Sequence, residues 1–407
     1  MSRKVVNLAS LIALLLLPFG LGFQNLAFAT AANYKTRLSM APDSLGKVVL
    51  VGSGNFGSAM ATVIAPNVLP KDLNMWVFEE NLSNGEKLTD YINKYHENPR
   101  YLPGITLPSN VVAVPDVAEC CRDADVVVFV LPHQFLSGIL PKLKDVISPR
   151  ARIVSLIKGV DFADGGVKLI SDTISEGLGG RPCSVMMGAN VASEIARNEF
   201  AEGTIGCRDK TDGEVLKRVF QTEKFRVTVV EDGPGVEVCG ALKNIVALGA
   251  GFSDGLGFGG NTKSALIRLG LLEMIRFTRL FFPATTKSTT FWESCGVSDL
   301  ITTCYGGRNR KCAEAFVKAW DAEKGGGDWD AIEEKLLNGQ KLQGTLTAKD
   351  VHAVLVARKA VDDFPLFTTV YKIAFEGLHP KNIVDVRHIL NEKDGKEHNN
   401  IIGRSRL

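Results

Sequence analysis

Short apolar runs recur through the first half of the chain and alternate with segments of helical spacing. The runs are 48–51, 74–78, 126–135, 152–157, 184–190 and 227–230. An unbroken apolar run is typical of a strand that is buried on both faces of a parallel sheet. Beyond residue 230 the apolar spacing is mostly helical. The pattern predicts an α/β fold, with an N-terminal Rossmann-like doubly wound domain followed by a mainly α-helical C-terminal domain.

A glycine-rich turn, GSGNFG, follows the first apolar run and leads into a helical pattern. In this context Gly52 allows the tight turn, Gly54 lets a pyrophosphate approach the backbone, and Gly57 lets helix and strand pack closely. The phosphates then lie at the helix N-terminus, where unpaired N–H groups favour negative charge. The pattern predicts a dinucleotide site at Gly52, Ser53, Gly54, Asn55, Phe56 and Gly57.

Polar residues after the later strands extend this site. Glu79 and Glu80 follow the second strand, about where an acid meets the adenosine ribose, and no arginine stands there to receive a 2′-phosphate. This favours NAD over NADP. His133, Phe135 and Lys158 also follow strands, and ligands of open α/β sheets bind beyond the carboxyl ends of the strands. For His133, a hydrogen-bonded loop histidine is the competing interpretation.

The helix predicted from Glu237 onward is apolar nearly all round, which is typical of a buried helix. Lys243 stands within it, and none of its helical neighbours can pair an ammonium group. If Lys243 faces inward, either a carboxylate from elsewhere holds it charged or its proton is available for chemistry. The alternative is a side chain that reaches water along the helix edge. Asp299 is the nearest good candidate for a partner.

A glycine pair at 306 and 307 precedes Arg308, Asn309 and Arg310. This combination suits a phosphate, because a guanidinium group grips it with two hydrogen bonds while the backbone N–H groups approach unhindered. A solvated basic turn is the alternative. A second polar loop, NGQKLQG at 338–344, is suited to close over a ligand.

The composition narrows the function classes. The 407 residues carry a formal net charge of only +2, with charges well mixed, so nothing favours nucleic acid and a small substrate is expected. The eight cysteines form no CxxC pair, and no histidines stand at metal-ligand spacing. We expect a reducing compartment and no structural metal.

The first 45 residues do not resemble part of the fold. Arg3 and Lys4 precede an apolar run at 11–22 that is too short to span a membrane, as in a signal peptide. Cleavage after Ala27 would expose the segment 28–44, which is rich in Ala, Ser and Thr and basic before its single late acid. These are transit-peptide traits.

The two segments together resemble the bipartite plastid presequence of algae with secondary plastids, and we expect no stable membrane insertion of the mature chain. Secretion is one alternative, and peroxisomal import through Ser405-Arg406-Leu407 is another. The expected domain order is a presequence at 1–45, the NAD-binding domain at 46–229, the helical substrate domain at 230–392 and a polar tail at 393–407.

Eight stretches, in order over roughly residues 46 to 378, resemble the NAD-dependent glycerol-3-phosphate dehydrogenases of eukaryotic type. They are VGSGNFGSA, WVFEE, LPHQF, SLIKGVD, MGANVASE, EVCGALKNIVALGAGFSDGLGFGGNTK, ESCGVSDLITTCYGGRNRK and NGQKLQG. The resemblance implies a homodimeric enzyme that reversibly reduces dihydroxyacetone phosphate with NADH to sn-glycerol 3-phosphate. With the presequence, we expect an organelle-targeted form.

The resemblance also implies roles for individual residues. Lys243 would be the general acid and electrostatic stabiliser, Asp299 would interact with it, and Lys158 would be the second lysine. The implied substrate contacts are Asn244, Thr303, Arg308, Asn309 and Lys158. The implied cofactor contacts beyond the glycine-rich turn are Phe78, Phe135, Lys158, Ala192 and Arg308, together with Lys341 and Gln343 in a mobile loop.

Three alternatives stay open from the residues alone. One is a related dehydrogenase that acts on another phosphorylated or carboxylated hydroxy acid. The second is a non-catalytic NAD-sensing module. The third keeps the chemistry but uses a flavin, and the single nucleotide fingerprint disfavours it.

Overall fold

The computed structural model describes residues 45–163, 166–320, 327–337 and 341–385. The expected presequence up to residue 44, the end of the expected helical domain from 386 and the polar tail lie outside the described residues. So does part of the loop 338–344, of which Lys341, Leu342, Gln343 and Gly344 are described.

One eight-stranded sheet forms the core of the first half of the chain, in the order β12-β11-β10-β7-β6-β1-β2-β5. The strands are β1 (Val48–Val51), β2 (Leu73–Trp76), β3 (Glu97–Asn98), β4 (Leu102–Thr106), β5 (Val111–Val114), β6 (Val126–Phe129), β7 (Arg152–Ser155), β8 (Val160–Ala163), β9 (Gly166–Leu169), β10 (Cys183–Met187), β11 (Ala201–Gly206) and β12 (Phe225–Val230). The pairs β3–β4 and β8–β9 form separate hairpins. The six neighbouring strands β10, β7, β6, β1, β2 and β5 all run parallel to one another.

Alternate residues of the central strands enter two different cores. Val48 and Leu50 of β1 pack into the cluster on one face of the sheet, and Val49 and Val51 pack into the cluster on the other face. All four are fully buried. A strand covered on both faces has no position for a polar side chain, which is why the central strands appear in the sequence as unbroken apolar runs. The predicted doubly wound sheet is confirmed.

The helices of this half are α1 (Asn55–Ile64), α2 (Leu88–Tyr95), α3 (Val117–Cys121), α4 (Leu136–Leu143), α5 (Ile170–Gly177), α6 (Ala192–Ala196) and α7 (Lys210–Phe220). Asp209 caps α7 by accepting a hydrogen bond from the Asp212 N–H, and Asp116 caps α3 in the same way. Such caps satisfy backbone donors that have no partner in the first turn.

The second half is helical, as predicted. Its helices are α8 (Gly233–Gly255), α9 (Gly260–Phe281), α10 (Asp299–Gly306), α11 (Arg308–Lys318), α12 (Trp329–Leu337), α13 (Gln343–Ala357) and α14 (Pro365–Phe375). Short 3₁₀ or π turns at 288–292, 294–298, 361–363 and 380–384 connect or end them. The last strand ends at Val230 and α8 begins at Gly233, so the expected boundary near residue 230 falls in this turn.

Helix α8 lies at the centre of the helical half. Its apolar residues, from Val236 to Phe252, enter the largest cluster together with side chains of α9, α11, α13 and α14. Its N-terminus is fixed by the buried Asp232, whose Oδ1 accepts from the Gly235 N–H at 2.8 Å, while Oδ2 accepts from the Lys287 N–H and the Thr290 hydroxyl. Within the described part of the chain, α8 is long and apolar enough to cross a membrane, but 94% of its most apolar stretch is buried inside the protein.

The structure also differs from the pattern in places. The apolar run 126–135 is a strand only to Phe129, and a 3₁₀ turn at His133–Phe135 follows Pro132. The runs 74–78 and 184–190 shorten to Leu73–Trp76 and Cys183–Met187. Strand β11 (AEGTIG) was not predicted, because two glycines and a glutamate interrupt its apolar pattern. It runs antiparallel to β10 and reverses the edge of the sheet.

Candidate active site

Three charged side chains from distant parts of the chain meet between the sheet and the helical half. The Lys243 ammonium lies 2.5 Å from Asp299 Oδ1, and the Lys158 ammonium lies 3.0 Å from Asp299 Oδ2. Lys158 also donates a hydrogen bond to the Gly188 carbonyl at 3.1 Å. We call these three side chains the lysine–aspartate cluster. The side chains of Lys243 and Asp299 are 7% and 3% exposed, and that of Lys158 is 29% exposed, so the cluster opens to solvent on the Lys158 side.

Different elements position each member. Lys158 follows β7 at the carboxyl edge of the sheet, and Lys243 lies in the middle of α8. Asp299 begins α10, directly after the π turn Ser294–Ser298. The first turn of a helix stabilises a carboxylate through its dipole, and π turns are frequent at functional sites. Of the two interpretations of Lys243, the structure shows the buried, paired one.

Burial lowers the pKa of Lys243 to about 8, because desolvation disfavours the charged ammonium and Lys158 adds a second positive charge nearby. Asp299 acts in the opposite direction and limits this decrease. Burial by itself raises the pKa of Asp299, but the two ammonium groups outweigh it and hold the pKa below its ordinary value. The aspartate is therefore a carboxylate at neutral pH, beside a lysine that titrates close to neutrality.

A chain of amide hydrogen bonds lies next to this cluster. The Gly344 N–H donates to Asn309 Oδ1 at 2.8 Å, and Asn309 Nδ2 donates to Asn244 Oδ1 at 2.9 Å. Asn244 directly follows Lys243 on α8, and Asn309 is the second residue of α11. These two hydrogen bonds therefore connect the end of the loop 338–344 to the helix that carries Lys243.

The remaining predicted substrate residues, Thr303 and Arg308, lie on α10 and α11. The Thr303 hydroxyl, on α10, donates to the Asp299 carbonyl at 2.6 Å and lies 3.4 Å from Asp299 Oδ1. Arg308 is exposed and begins α11. Arg310 points elsewhere, because its guanidinium group pairs with Asp254 at 3.3 Å and with Glu314.

The two residues predicted in the loop near the cofactor, Lys341 and Gln343, lie just before α13 and at its first position. The Lys341 ammonium pairs with Asp330 at 2.7 Å and with Glu333 at 3.0 Å, both on α12. Gln343 is exposed and is the first residue of α13. In this structure the Lys341 side chain is therefore held by the helical half.

A cleft of about 550 Å³ lies over the glycine-rich turn at the carboxyl edge of the sheet. Its lining residues are Gly52, Ser53, Gly54, Trp76, Phe78, Glu80, Tyr101, Val130, Leu131, Pro132, Phe135, Gly138, Ile139 and Lys142. Phe78 and Phe135 are 67% and 54% exposed there. Two exposed aromatic rings beside a glycine-rich turn form a site for a stacked, planar group such as a nucleotide base.

The glycines of the turn meet the demands of a dinucleotide. Gly52 has a φ of +127°, which L side chains rarely adopt. A Cβ on Gly57 would lie 2.2 Å from the Gly52 carbonyl oxygen, so only glycine allows α1 to start this close to β1. A Cβ on Gly54 would meet nothing within 4 Å, which leaves room for a pyrophosphate at the N-terminus of α1.

The other residues of the turn hold it in place by burial, packing and a hydrogen bond. Ser53 is buried, Phe56 packs on the core beneath the sheet, and the Asn55 side chain donates to the Tyr101 carbonyl at 2.8 Å. Ala192 begins α6, after the loop that carries the Gly188 carbonyl. Of the predicted cofactor residues, Gly52, Ser53, Gly54, Phe78 and Phe135 therefore lie together in this cleft, and Ala192 does not line it.

Two family models match this chain. The one described as the N-terminus of NAD-dependent glycerol-3-phosphate dehydrogenase matches residues 47–212, and the one described as its C-terminus matches residues 232–385.

The chain belongs to the NAD-dependent glycerol-3-phosphate dehydrogenase family. It is 54% identical over 336 residues to the cytoplasmic NAD(+) glycerol-3-phosphate dehydrogenase of Rattus norvegicus, a match that covers 81% of this chain and 94% of the relative. The Homo sapiens protein of the same name is also 54% identical, with the same coverage.

Solved structures agree with this assignment. The glycerol-3-phosphate dehydrogenase of Saccharomyces cerevisiae superposes with a TM-score of 0.78 at 43% identity, over 85% of this chain and 99% of that one. The Plasmodium falciparum enzyme superposes with a TM-score of 0.79 at 39% identity, over 86% and 96%. The chain is therefore an NAD-dependent oxidoreductase of this family with a Rossmann-type NAD-binding fold.

Two residues that support or line the cleft over the glycine-rich turn were not found from the sequence. Asn98 is fully buried, and its Nδ2 donates to the Ser53 carbonyl at 2.8 Å and to the Ser58 hydroxyl at 2.9 Å. Tyr101 lines the cleft, and its hydroxyl lies 2.5 Å from Glu80 Oε1. The polar and aromatic segment 97–101 between two core elements was the available signal.

The expectation that no arginine stands near Glu79 and Glu80 is wrong, because the folded chain brings one beside Glu80. Arg100 Nε lies 2.6 Å from Glu80 Oε2, because the β3–β4 hairpin folds back beside the end of β2. The two acids also differ. Glu79 is committed to the N-terminus of α2, where it accepts from the Thr89 N–H at 3.3 Å and from the Thr89 hydroxyl at 2.6 Å.

His133 does not join the lysine–aspartate cluster of the dehydrogenase. It begins the 3₁₀ turn after β6, is 41% exposed in its side chain, and its Nε2 lies 4.0 Å from Asp161 Oδ1. The eight cysteines are all free. Across the described ranges, no group of three His, Cys, Asp or Glu side chains is placed to hold a metal ion.

Proposed function

We propose that this enzyme reduces dihydroxyacetone phosphate reversibly to sn-glycerol 3-phosphate, with Lys243 as the general acid. The observation that carries the proposal is the lysine–aspartate cluster, in which a buried ammonium lies 2.5 Å from a buried carboxylate. A buried lysine whose pKa is lowered and which is oriented by a carboxylate is a typical arrangement for proton transfer.

NADH, when bound in the cleft, supplies a hydride to the ketone carbon of the substrate. The ketone oxygen then develops negative charge and needs a proton. Lys243 donates that proton from Nζ and stabilises the developing charge before the transfer. Its pKa of about 8 suits both directions, because a group that titrates near the working pH can donate a proton in one direction and accept it in the other.

Asp299 and Lys158 determine how Lys243 acts. Asp299 orients the ammonium through a single carboxylate oxygen and raises its pKa against the effect of burial. Lys158 binds the other oxygen, so that two ammonium groups share one carboxylate. The cluster carries one excess positive charge when both lysines are protonated, which favours an anionic substrate and an oxygen that becomes negative.

The other end of the substrate is the phosphate. Arg308 and Asn309 lie in the first turn of α11, where the helix dipole and the backbone N–H groups favour an anion. Asn309 is oriented by the Gly344 N–H and in turn orients Asn244. Binding at the unreacting phosphate fixes the position of the ketone relative to Lys243, so binding energy is used to orient the reaction.

The test compares two ketones. Purified enzyme is mixed with NADH and either dihydroxyacetone phosphate or dihydroxyacetone, and NADH oxidation is followed by absorbance. We expect turnover with the phosphorylated ketone and a loss of at least about 100-fold in kcat/KM with the unphosphorylated one, since the charge-assisted contacts to phosphate are lost. If NADH binds but neither ketone reacts, the chain is either a related dehydrogenase of another phosphorylated or carboxylated hydroxy acid or a non-catalytic NAD-sensing module.

We infer further that the chain assembles as a homodimer. The family resemblance supports this inference. Light scattering after size-exclusion chromatography measures the mass directly. A mass of one chain, 44.0 kDa for the full sequence, at all accessible concentrations would contradict the dimer.

We also propose that the N-terminal segment directs the chain to a plastid in an alga with secondary plastids. The basic residues Arg3 and Lys4, the apolar run and the acid-poor segment from Phe28 support this proposal. Residues 1–45 fused to a fluorescent protein and expressed in a diatom should label the plastid, and a Phe28→Ala fusion should stop before it. Fluorescence in the medium would replace the plastid assignment with secretion. The peroxisomal alternative needs a second fusion that ends in Ser405-Arg406-Leu407.

A further inference from the structure

The rim of the coenzyme cleft carries an ion pair that the family assignment does not explain. Among the described residues that line the cleft, Glu80 is the one acid and Lys142 is the one base. Glu80 is held by two partners. Its Oε1 accepts from the Tyr101 hydroxyl at 2.5 Å, and its Oε2 lies 2.6 Å from Arg100 Nε.

The other members of this rim are committed elsewhere. Glu79 is bound to the N-terminus of α2, and Glu97 accepts from the Gly104 N–H at 2.7 Å. Burial, together with the hydrogen bond to Glu80, raises the pKa of Tyr101, so its hydroxyl stays a donor over the working pH range. Of the acids in the described ranges, only Glu80 lines the cleft, where it is positioned to accept a hydrogen bond from a ribose hydroxyl.

Arg100 is the unusual partner. Its side chain is 54% exposed, and its guanidinium group stands 6.0 Å from the Tyr101 ring, on the rim of the cleft. A guanidinium group at the ribose end of a nucleotide cleft is the group that receives a 2′-phosphate in NADP-binding relatives of this fold. Here the glutamate that would repel a 2′-phosphate also neutralises the arginine that would bind it.

We propose that the Glu80–Arg100 pair determines coenzyme choice and that Arg100 is a latent binding site for the 2′-phosphate of NADPH. Glu80 then has two effects, since it accepts from the 2′-hydroxyl of NADH and keeps Arg100 from acting as an anion site. The proposal depends on the position of the adenosine ribose in this cleft and not on the identity of the ketone. Its test is therefore a binding measurement.

The first variant is Glu80→Gln, which keeps the size of the side chain and removes its charge. Dissociation constants of NADPH and NADH are measured on the full chain from nucleotide fluorescence, without substrate. We expect the variant to bind NADPH at least about tenfold more tightly than wild type does, because Arg100 is free to form a charge-assisted hydrogen bond to the 2′-phosphate. We expect it to bind NADH more weakly, because the charge-assisted hydrogen bond from the 2′-hydroxyl to Glu80 is lost. No gain in NADPH affinity would overturn the proposal.

A pair of double variants assigns the gain to Arg100. Glu80→Gln with Arg100→Ala should lose most of the gain. Glu80→Gln with Arg150→Ala should keep it, because Arg150 is an exposed arginine before β7, at the opposite end of the strands. If the Arg100 double variant keeps the full gain, the removal of negative charge near Lys142 explains it and Arg100 has no such role.

Melting temperatures of the Glu80 variants are compared with wild type to detect misfolding. The single variant Arg100→Ala tests the proposal without a change at Glu80. Arg100→Ala leaves Glu80 uncompensated, so the already weak binding of NADPH should weaken further, by about threefold or more. The NADPH difference should also shrink as salt is raised, because exposed charges are screened. Unchanged NADPH binding by Arg100→Ala would contradict the proposal by itself.

Discussion

Lys243 and Asp299 form a buried ion pair with 2.5 Å between Nζ and Oδ1, although 56 residues separate them in the chain. Neither residue has a charged partner in its own helix. A buried charge without a partner costs several kcal/mol or loses its charge, so the pair and Lys158 depend on each other for the ionised state.

Replacing Lys243 with alanine should remove most of the turnover and leave NADH binding largely intact. The proton donor and the charge that stabilises the developing alkoxide both disappear, and losses of about 10² to 10⁴ in kcat are typical of such groups. Steady-state rates and fluorescence titration with NADH separate the two effects. Lys168→Ala is the control, since Lys168 pairs with Glu176 at 2.7 Å in an exposed position. Near-normal turnover of Lys243→Ala would contradict the assignment.

The pH dependence of the two reaction directions should be opposite. Reduction requires a protonated Lys243, so kcat/KM for the ketone should fall as the pH rises through about 8, and kcat/KM for oxidation should rise there. Asp299→Asn removes the group that raises this pKa and should shift the midpoint to lower pH. A midpoint that stays fixed in Asp299→Asn would assign the titration to another group.

The same lowered pKa has a consequence for stability. The unfolded chain keeps Lys243 protonated up to about its ordinary pKa of 10.5, whereas the folded chain releases the proton near 8. Between these values the unfolded state binds more protons, so this group makes the free energy of unfolding rise with pH. Urea unfolding of wild type and Lys243→Met at pH 7.5 and 9.5 should show this rise in wild type and a smaller one in the variant.

Arg308→Ala should raise KM for the phosphorylated ketone more than it lowers kcat. The loss of a guanidinium group at a phosphate is expected to cost about 10-fold to 100-fold in KM. Arg310→Ala is the matched comparison, because its guanidinium group pairs with Asp254 and Glu314 and should affect melting temperature instead. An unchanged KM in Arg308→Ala would place the phosphate elsewhere.

Asn98→Ala should weaken NADH binding by about tenfold and lower the free energy of unfolding by about 1 to 3 kcal/mol, because two buried partners lose a donor. The partners are the Ser53 carbonyl and the Ser58 hydroxyl, which shape the glycine-rich turn. Asn93→Ala is the control. Its side chain bonds both the N–H and the carbonyl of Ala113, away from the turn, and should lose stability without losing NADH affinity.

Asp232→Ala should lower the free energy of unfolding by about 2 to 4 kcal/mol, since it removes a helix cap and leaves three donors unsatisfied in a buried place. The contacts at stake join the start of α8 to Lys287 and Thr290. Asp209→Ala removes a cap with one hydrogen bond and should cost about 1 kcal/mol. Similar losses in the two variants would show that the contacts of Asp232 beyond the cap add little.

Much of the fold could be predicted from local patterns. The run at 48–51 and the first part of the run at 126–135 had to be buried strands, and the helix around Lys243 had to be a core helix, because no polar face is available to meet water. The strands β5 and β11 were missed for the opposite reason, since their patterns are short or are interrupted by glycine and glutamate. Strand β5 is also an edge strand, which is less constrained by burial on both faces, whereas β11 lies between β10 and β12.

The sequence by itself determined the layers of the fold, the glycine-rich turn and the residue types of the site, because periodicity and backbone chemistry are local properties. Only the tertiary structure decided which charges meet. It placed Lys158 and Lys243 on opposite oxygens of Asp299 and brought Arg100 against Glu80. Ion pairs between distant segments depend on how sheet, hairpin and helices pack, and the energy of a charge depends on its burial and its neighbours. Neither quantity exists until the chain is folded.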